Sequence, residues 1–163
     1  MLRHPLLPAI TLTLRASPTN SHECAKLLVA TLATNGIAVI ADGEKFALVV
    51  PKSYVPYVQV RSAEIKPPAQ GAGASETFPA VAIVMDGADL TTVAGLYAEM
   101  RGRKINPADW AREIPRPNFF FKNQTPLTKA EVLYAYDTLF EWCGLKMVTD
   151  GDDFLKPELI RRK

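Results

Sequence analysis

Residues that commonly carry out catalysis or bind metals are few in this sequence and lie far apart. The two histidines, His4 and His22, have no cluster of cysteines or carboxylates around them at the spacing of a metal site. No serine lies in a Gly-x-Ser-x-Gly motif, the pattern that places a nucleophile on a tight turn between a strand and a helix. We therefore expect no metal, no cofactor, no small-molecule substrate and no enzymatic activity, and we assign no catalytic residue.

Three aspartates, Asp150, Asp152 and Asp153, lie close enough together to suggest a calcium loop. An EF-hand loop also needs oxygen ligands at further fixed positions and a terminal glutamate, which this segment lacks. Asp150 is followed by Gly151, and an Asp-Gly pair between two apolar runs is typical of a β-hairpin turn. We interpret these aspartates as a solvated turn.

The two cysteines, Cys24 and Cys143, fall within or at the end of predicted helices. Free cysteine is among the residue types most often buried, and it packs as a small apolar side chain. We expect both to be buried, and two cysteines do not identify the redox compartment.

Two groups of residues are candidates for contact with a partner. A basic cluster lies at a predicted helix end, where the helix dipole favours cations, so a solvated helix end remains the preferred interpretation. Two aromatic residues fall off the predicted buried stripe of their helix, and exposed aromatic side chains often mark interfaces, either with a partner or between modules. The candidate interface residues are Tyr134, Trp142, Arg101, Arg103 and Lys104.

Composition excludes several classes of protein. The 163 residues are 48% hydrophobic and carry a net charge of +2, which is ordinary for a globular chain and offers no overall attraction to nucleic acid or membranes. No run approaches the roughly 20 apolar residues of a membrane-spanning helix. The first residues superficially resemble a signal peptide, but prolines interrupt them and Ile10 to Leu14 alternates like a half-buried strand. We expect this strand to belong to the fold, and the abrupt start suggests a piece cut from a longer protein.

An internal repeat relates residues 17–46 to residues 125–154. The same displacement of 108 residues separates Pro18 from Pro126 and Phe46 from Phe154. The matched positions are Pro18, Glu23, Gly36, Asp42, Gly43 and Phe46 with Pro126, Glu131, Gly144, Asp150, Gly151 and Phe154. Such a repeat indicates one supersecondary unit used twice.

The first copy reads as strand, helix and hairpin. Asn20 and Glu23 have the spacing of a helix N-terminal cap, and Gly36 has the residue type that ends a helix. Between them an apolar stripe predicts one buried helix face: Cys24, Leu27, Leu28, Thr31 and Leu32. Ile37 to Ile40 and Phe46 to Val50 then flank the Asp42-Gly43 turn of a hairpin. Tyr54 to Ile65 could add a further strand.

The second copy has an equivalent capping pair, apolar stripe and hairpin turn, and further elements precede it. Its capping pair is Thr128 and Glu131, and its buried stripe is Val132, Ala135, Tyr136, Leu139 and Phe140. Its leading strand lies around Phe119 to Phe121. Ahead of it we expect a strand at Val81 to Met85 and a turn at Asp86 to Asp89. A helix should follow, and its predicted buried residues are Leu90, Val93, Tyr97 and Met100. A short element near Lys104 to Asn106 completes this part.

The predicted fold class is α/β (α+β), with small mixed sheets covered by helices. We divide the chain into a partial β-α-β-β module at 1–54, a linker with a candidate extra strand at 55–79, and a complete β-α-β-β-α-β-β module at 80–163. The linker contains a flexible stretch from Lys66 to Glu76, and Pro107 to Pro117 forms a polar loop in which Trp110 and Ile114 pack across the module.

In the order of its elements and motifs, the second module resembles the small periplasmic N-domains of secretins. Secretins are the outer-membrane channels of type II secretion and related systems. In that family a helix ends near Gly-Arg or Gly-Lys, a strand follows, then Pro-Leu-Thr or Pro-Leu-Ser opens a second helix that ends at Gly-Leu or Gly-Phe before an Asp-Gly hairpin. Residues 87–105, 124–134 and 142–154 are similar to these pieces in order and spacing. The loop from Pro107 to Pro117 is longer than the family's usual connection.

The resemblance implies a KH-like module that assembles with copies of itself or with other secretion proteins and performs no catalysis. It also implies a periplasmic or outer-membrane location, with membrane contact only through a longer parent protein. The competing hypothesis is a KH-like protein that binds single-stranded nucleic acid, which requires a Gly-x-x-Gly loop between two helices, and the sequence offers no such loop. The incomplete first unit predicts an apolar helix face and a sheet edge that need a partner, met by dimerisation or by docking on the second unit.

Overall fold

A computed structural model describes residues 1–7, 11–13, 18, 20–65, 76–105, 114 and 116–160 of the chain. The helices among these residues are α1 (Ser21–Thr34), α2 (Leu90–Met100) and α3 (Lys129–Trp142). The strands are β1 (Leu2–Arg3), β2 (Ile37–Asp42), β3 (Phe46–Pro51), β4 (Thr77–Phe78), β5 (Val84–Ala88), β6 (Lys104–Ile105), β7 (Phe119–Lys122), β8 (Leu127–Thr128), β9 (Leu145–Asp150) and β10 (Phe154–Leu159). None of the described helices combines the length and the apolar character needed to cross a bilayer.

The strands form one sheet of five and two smaller sheets. The largest has the order β2-β3-β1-β7-β5, in which β1 is parallel to β3 and antiparallel to β7. The other two have the orders β6-β10-β9 and β4-β8. The expected combination of helices with small mixed sheets is therefore confirmed. Strands from both segments predicted as modules, 1–54 and 80–163, belong to the same five-stranded sheet.

The core lies against one face of this sheet. One row of side chains crosses all five strands there: Ile40, Leu48, Leu2, Phe121 and Met85. Helix α3 covers the row, with the ring of Tyr136 centred 6.4 Å from Phe121. Helix α2 packs beside α3, where Tyr97 meets Phe140 edge to face at 5.5 Å. Leu145 and Leu155 of the three-stranded sheet belong to the same core, so α3 is buried on several sides.

Each helix begins and ends where its capping residues predict. The side chain of Asn20 accepts a hydrogen bond from the backbone N–H of Glu23, and Asp89 does the same for Thr92. Thr128 and Glu131 form the complete reciprocal capping box at the start of α3. Gly36 and Gly144 follow α1 and α3 with φ of 74° and 72°, a left-handed conformation that costs glycine little.

The repeated helix and hairpin have the same geometry in both copies. The β2–β3 ladder pairs Asp42 with Phe46, and the β9–β10 ladder pairs Asp150 with Phe154 at the equivalent positions. Gly43 and Gly151 occupy the two turns with φ of 66° and 68°. The prediction that one helix-hairpin unit occurs twice is thus confirmed.

Three predicted strands are wrong or displaced. Thr11 to Thr13 lie outside any strand, the other residues of Ile10 to Leu14 are not among those described, and β1 instead fills the place between β3 and β7. The strand expected at Val81 to Met85 begins at Val84, because Val81 has a φ of 63° that no regular strand accepts. Two 3₁₀ helices, Lys52–Tyr57 and Ser62–Glu64, replace the strand considered between Tyr54 and Ile65.

Of the smaller predictions around α2 and β6, some are confirmed and one is wrong. The turn expected at Asp86 to Asp89 is a bulge of β5 at Gly87, although Asp89 does cap α2. The short element near Lys104 is β6, and Asn106 is not described. Ile114 packs against the core as expected, whereas Trp110 and the linker residues 66–75 lie outside the described part of the chain.

The capping box of α3 yields a pH-dependent prediction. Burial would raise the pKa of Glu131, but hydrogen bonds from Lys45 and Thr128 outweigh it and hold the pKa below its usual value. A carboxyl whose pKa is lowered by folding stabilises the protein above its unfolded pKa, and this contribution disappears as the pH falls through the folded pKa. Glu131→Gln should lower the free energy of unfolding by about 1 kcal/mol at pH 7, since glutamine keeps the capping geometry but loses the charge.

Urea denaturation of both proteins at pH 7, 5 and 3 measures this difference, which should shrink toward zero at the lowest pH. Glu44→Gln removes an exposed carboxylate beside Lys45 and should change the stability little at any of the three pH values. A difference for Glu131→Gln that stayed constant down to pH 3 would contradict the prediction.

Candidate functional site

Helix α1 presents apolar side chains to solvent. None of its fourteen residues is buried, and Leu28 and Val29 are 41% and 43% exposed. Only Leu27, Thr31 and Leu32 are half-buried, because the helix contacts β2 at the edge of the five-stranded sheet and little else. The prediction of a buried face on this helix is therefore wrong, since the described residues place nothing over the outer part of the stripe.

The repeat shows what the same helix face does when it has a partner. The positions of α3 that correspond to Cys24, Leu27, Leu28, Thr31 and Leu32 are at most 1% exposed: Val132, Ala135, Tyr136, Leu139 and Phe140. They are covered because α3 lies against the inner face of the sheet and α2 packs beside it. An equivalent face in α1 lacks both neighbours, so it is an apolar helix face that the described residues leave uncovered.

The first unit docks on the second through a buried polar network. Asp42, at the end of β2, is fully buried and accepts hydrogen bonds from the hydroxyl of Tyr134 on α3 and from the backbone N–H of Ser62 at 2.9 Å. The Tyr134 oxygen also accepts from the backbone N–H of Arg61 at 3.3 Å. Burial and the bond to Asp42 raise the pKa of Tyr134 to about 12, so the hydroxyl stays protonated and donates. Lys45 adds an ion pair to Glu131 at 2.8 Å.

His4 lies in a second contact between the two units. It is fully buried, with its ring centred 4.2 Å from Tyr54 and 5.2 Å from Trp142. Its Nδ1 accepts a hydrogen bond from the backbone N–H of Leu6 at 3.1 Å, which in a neutral imidazole assigns the proton to Nε2. Sequence reasoning gave His4 no structural role, and its position in a proline-rich start carried no signal that it would enter the core. His22, in contrast, is exposed in the first turn of α1.

The two aromatic candidates are used inside the chain. Trp142 is only 9% exposed and packs on His4, while Tyr134 is half-buried and binds Asp42. The expectation that both are exposed is therefore wrong, because residues 4 and 42 of the first unit cover them. Both do contact the other unit, the second of the two roles considered for them.

The basic candidates are divided among different contacts. Arg101 donates to the hydroxyl of Tyr97 at 3.0 Å and lies 3.8 Å from the carboxylate of Asp137. Arg103 donates to the backbone carbonyl of Asp152 in the β9–β10 turn. Lys104 is exposed on β6. Both arginines thus contact their own chain, although Arg101 remains exposed like Lys104.

The remaining predicted groups have structural surroundings. Asp150 receives the ammonium of Lys156 at 3.0 Å within the β9–β10 hairpin, and no group of three or more His, Cys, Asp or Glu side chains suited to a metal occurs among the described residues. Cys24 is exposed, contrary to expectation, because the face of α1 that holds it is uncovered. Cys143 is half-buried at the end of α3, and burial raises its pKa to about 12, which keeps the thiol protonated and unreactive.

A cleft of about 520 Å³ lies between α3, the start of β9 and the segment around Arg61. Arg61 pairs with Glu141 at 2.5 Å at one side, and Arg101 approaches Asp137 at the other. Burial raises the pKa of Asp137, although its bond to Tyr97 and the charge of Arg101 oppose the shift. Sequence reasoning missed this cleft because its walls come from residues 61–65, 101, 130–141 and 145–147, which only the tertiary structure brings together.

No family model, curated protein or solved structure matches this chain.

The contact between Tyr134 and Asp42 can be tested by removing one hydroxyl. Tyr134→Phe keeps the ring that packs edge to face on Phe46 at 5.4 Å but leaves the buried Asp42 carboxylate with one donor fewer. A hydrogen bond to a charged group contributes roughly 1.5–3 kcal/mol. We expect the free energy of unfolding, from chemical denaturation at pH 7, to fall by about 2 kcal/mol.

Tyr57→Phe is the matched control, since Tyr57 is 65% exposed and its hydroxyl should contribute little. Equal stabilities for Tyr134→Phe and Tyr57→Phe would show that the contact between the two units does not depend on this hydroxyl.

Proposed function

We propose that this chain is a non-catalytic protein-interaction module of a secretin-like envelope secretion component, and that it assembles with further copies of itself through α1. The single observation that carries the proposal is the uncovered apolar face of α1, on a helix whose counterpart α3 is buried at every corresponding position. Both copies of the repeated unit have the same apolar stripe. The stripe of α3 is covered within the chain, and on our proposal the stripe of α1 is covered by a second copy of the chain.

The size of the surface suits an interface between proteins. A helix of fourteen residues is about 21 Å long. This length is comparable to the width of a standard interface, which buries about 800 Å² on each partner. Complete burial of side chains such as Leu28 and Val29 stabilises an assembly by roughly 1.5–3 kcal/mol each. Charged residues on α1 are few, namely Glu23 and Lys26, so a like-charged copy would meet little repulsion.

The polar groups support a structural interpretation. Asp42, Tyr134 and Glu131 are engaged in contacts between the two units, and the rings of His4 and Trp142 pack together at a second contact. Groups used in this way position the repeated units against each other. The resemblance of residues 80–156 to secretin N-domains supports a periplasmic or outer-membrane location and membrane contact through a longer parent protein.

Binding of single-stranded nucleic acid is the competing class and an outcome of the test. Such binding needs cations that are free to neutralise phosphates, together with exposed aromatic rings on which bases stack. Arg101 and Arg103 are bound to their own chain, and Trp142 is buried. These contacts favour the protein-interaction hypothesis.

Leu28→Glu tests the proposal by placing a charge on the apolar face of α1. Leu96→Glu is the matched control, because Leu96 on α2 has almost the same exposure, 40% against 41%. Sedimentation equilibrium over a wide concentration range should show self-association of the wild-type chain, weakened at least tenfold by Leu28→Glu and unchanged by Leu96→Glu. Thermal unfolding should report a folded protein for both variants, since substitutions at exposed positions change stability little.

Two results would overturn this proposal. One is a wild-type chain that remains monomeric up to millimolar concentration. The other is submicromolar, salt-sensitive binding of a labelled single-stranded oligonucleotide, which would favour the nucleic-acid hypothesis.

A further inference from the structure

Strand β9 has an unpaired edge. In the order β6-β10-β9 it is the terminal strand, and within the described part of the chain it pairs with β10 alone. Its six residues form a regular ladder with β10 that contains no bulge. A regular edge strand offers a row of backbone N–H and C=O groups to any extended chain that comes beside it.

The register of the ladder shows which of these groups face outward. In an antiparallel pair, successive residues alternate between bonding across the ladder and pointing away from it. Gly144 bonds to β10, since its carbonyl accepts from the N–H of Ile160 at 2.7 Å. Met147 lies opposite Pro157, which has no N–H to donate, so this pair is one that does not bond across the ladder. The alternation therefore places the backbone groups of Leu145, Met147 and Thr149 on the free edge.

The same strand borders the cleft on α3. Leu145 and Met147 line it together with Leu133 and Phe140 of α3 and Ile65. Residues directly opposite one another on neighbouring strands point to the same face of a sheet. A strand added beside β9 would bond to Met147 and point its opposing side chain toward α3, over the cleft. The volume of about 520 Å³ falls within the range of ligand pockets, roughly 300–1,000 Å³.

The charges around the cleft identify the class of occupant. Three cations, Arg61, Arg101 and Lys146, line it with three carboxylates, Glu64, Asp137 and Glu141. The closest pairs are Arg61 with Glu141 at 2.5 Å and Lys146 with Glu158, across the ladder, at 3.4 Å. A balanced set of charges gives no attraction to a polyanion, so the surface does not fit nucleic acid. It fits a chain with little net charge that offers backbone hydrogen bonds and apolar side chains.

We propose that β9 and the cleft beside it form a binding site for an extended peptide segment of a partner protein. The bound segment adds a strand to the sheet beside β9. Its apolar side chains, at alternate positions, lie over Leu133 and Met147. Backbone bonds to the edge supply affinity in this mode of recognition, and the pockets for alternate side chains supply specificity. The site goes beyond the proposed function, because it lies on the three-stranded sheet and does not involve α1.

The other edges of the described sheets are less suited to this role. Strand β5 carries a bulge at Gly87, which interrupts a regular ladder. Strand β2 is regular, but the cleft that reaches its end, at Asp42 and Gly43, is much smaller, about 220 Å³. Only β9 combines, among the described residues, a regular free edge with a cleft of this size, lined by both apolar and charged side chains.

Thr149→Pro tests the site with little disturbance of the fold. Thr149 is exposed, and its N–H points to the free edge, so proline there removes a docking group without removing a bond of the ladder. Thr149→Val is the matched control, since it keeps the N–H and a β-branched side chain. Leu133→Glu is a second, independent variant that places a charge in the cleft.

The probe is a library of random ten-residue peptides displayed on phage and selected against the immobilised full-length chain. We expect enriched peptides with apolar residues at alternate positions, whose synthetic forms bind the wild type and Thr149→Val equally and bind Thr149→Pro and Leu133→Glu at least tenfold more weakly. Hydrogen exchange at the Met147 and Thr149 amides should slow when peptide is bound, while the Leu28→Glu variant should bind peptide normally.

Failure to enrich any peptide, or equal binding of the enriched peptides to Thr149→Pro and wild type, would overturn the proposal. Protection of amides elsewhere, with Met147 and Thr149 unchanged, would overturn it as well. Circular dichroism of each variant establishes that a loss of binding is not a loss of fold. Because the α1 variant is measured in parallel, failure of this proposal is distinguishable from failure of the proposed self-association.

Discussion

The pairing of a two-residue strand on both of its sides is the interaction on which the rest of the structure depends. Strand β1 lies between β3 and β7, with Leu2 opposite Leu48 on one side and Phe121 on the other. Leu2 is fully buried, and the backbone N–H of Lys122 donates to the carbonyl of Met1 at 3.1 Å. Without this strand the hairpin β2–β3 would have no backbone connection to β7 and β5. One continuous sheet, and therefore one core, follows from it.

This connection explains why the two copies of the repeat are unequal. The second copy buries α3 against the shared sheet and α2, whereas the first copy contributes its hairpin to the sheet and leaves α1 at the edge. Two expectations for the incomplete unit were dimerisation and docking on the second unit. The chain docks through β1 and through the contact of Asp42 with Tyr134. This pairs the β3 edge of the hairpin but leaves the apolar face of α1 uncovered.

The two surfaces that we propose as binding sites differ in the physical origin of the attraction. On α1 the attraction would come from burying apolar surface, which is non-directional and suits a helix or sheet face of another copy. On β9 the attraction is a row of oriented backbone groups beside a cleft, which suits only an extended chain. A protein with both could hold neighbouring copies through one surface and a flexible segment through the other. Neither surface needs a reactive side chain, which is consistent with a role in assembly.

Much of the local structure could be predicted from the sequence because it depends on residues close together in the chain. The caps at Asn20, Asp89 and Thr128 and the Asp-Gly hairpins follow from hydrogen bonds and backbone conformations within a few residues, and all lie where they were expected. The predictions failed where a distant partner decides. The apolar stripes of α1 and α3 have the same spacing, but spacing says only that a face could be buried, not that anything covers it.

What the sequence alone determined is the repeated helix-hairpin unit, the ends of its helices and the α/β class, since each depends on local periodicity and turn chemistry. Only the tertiary structure decided that β1 joins the copies, that His4 and Trp142 meet in the core, and that Tyr134 binds Asp42. It also decided that α1 is exposed and that a cleft opens beside β9. The physical reason is that burial depends on which surfaces meet across long separations in the chain, and no short-range pattern of residue types encodes that choice.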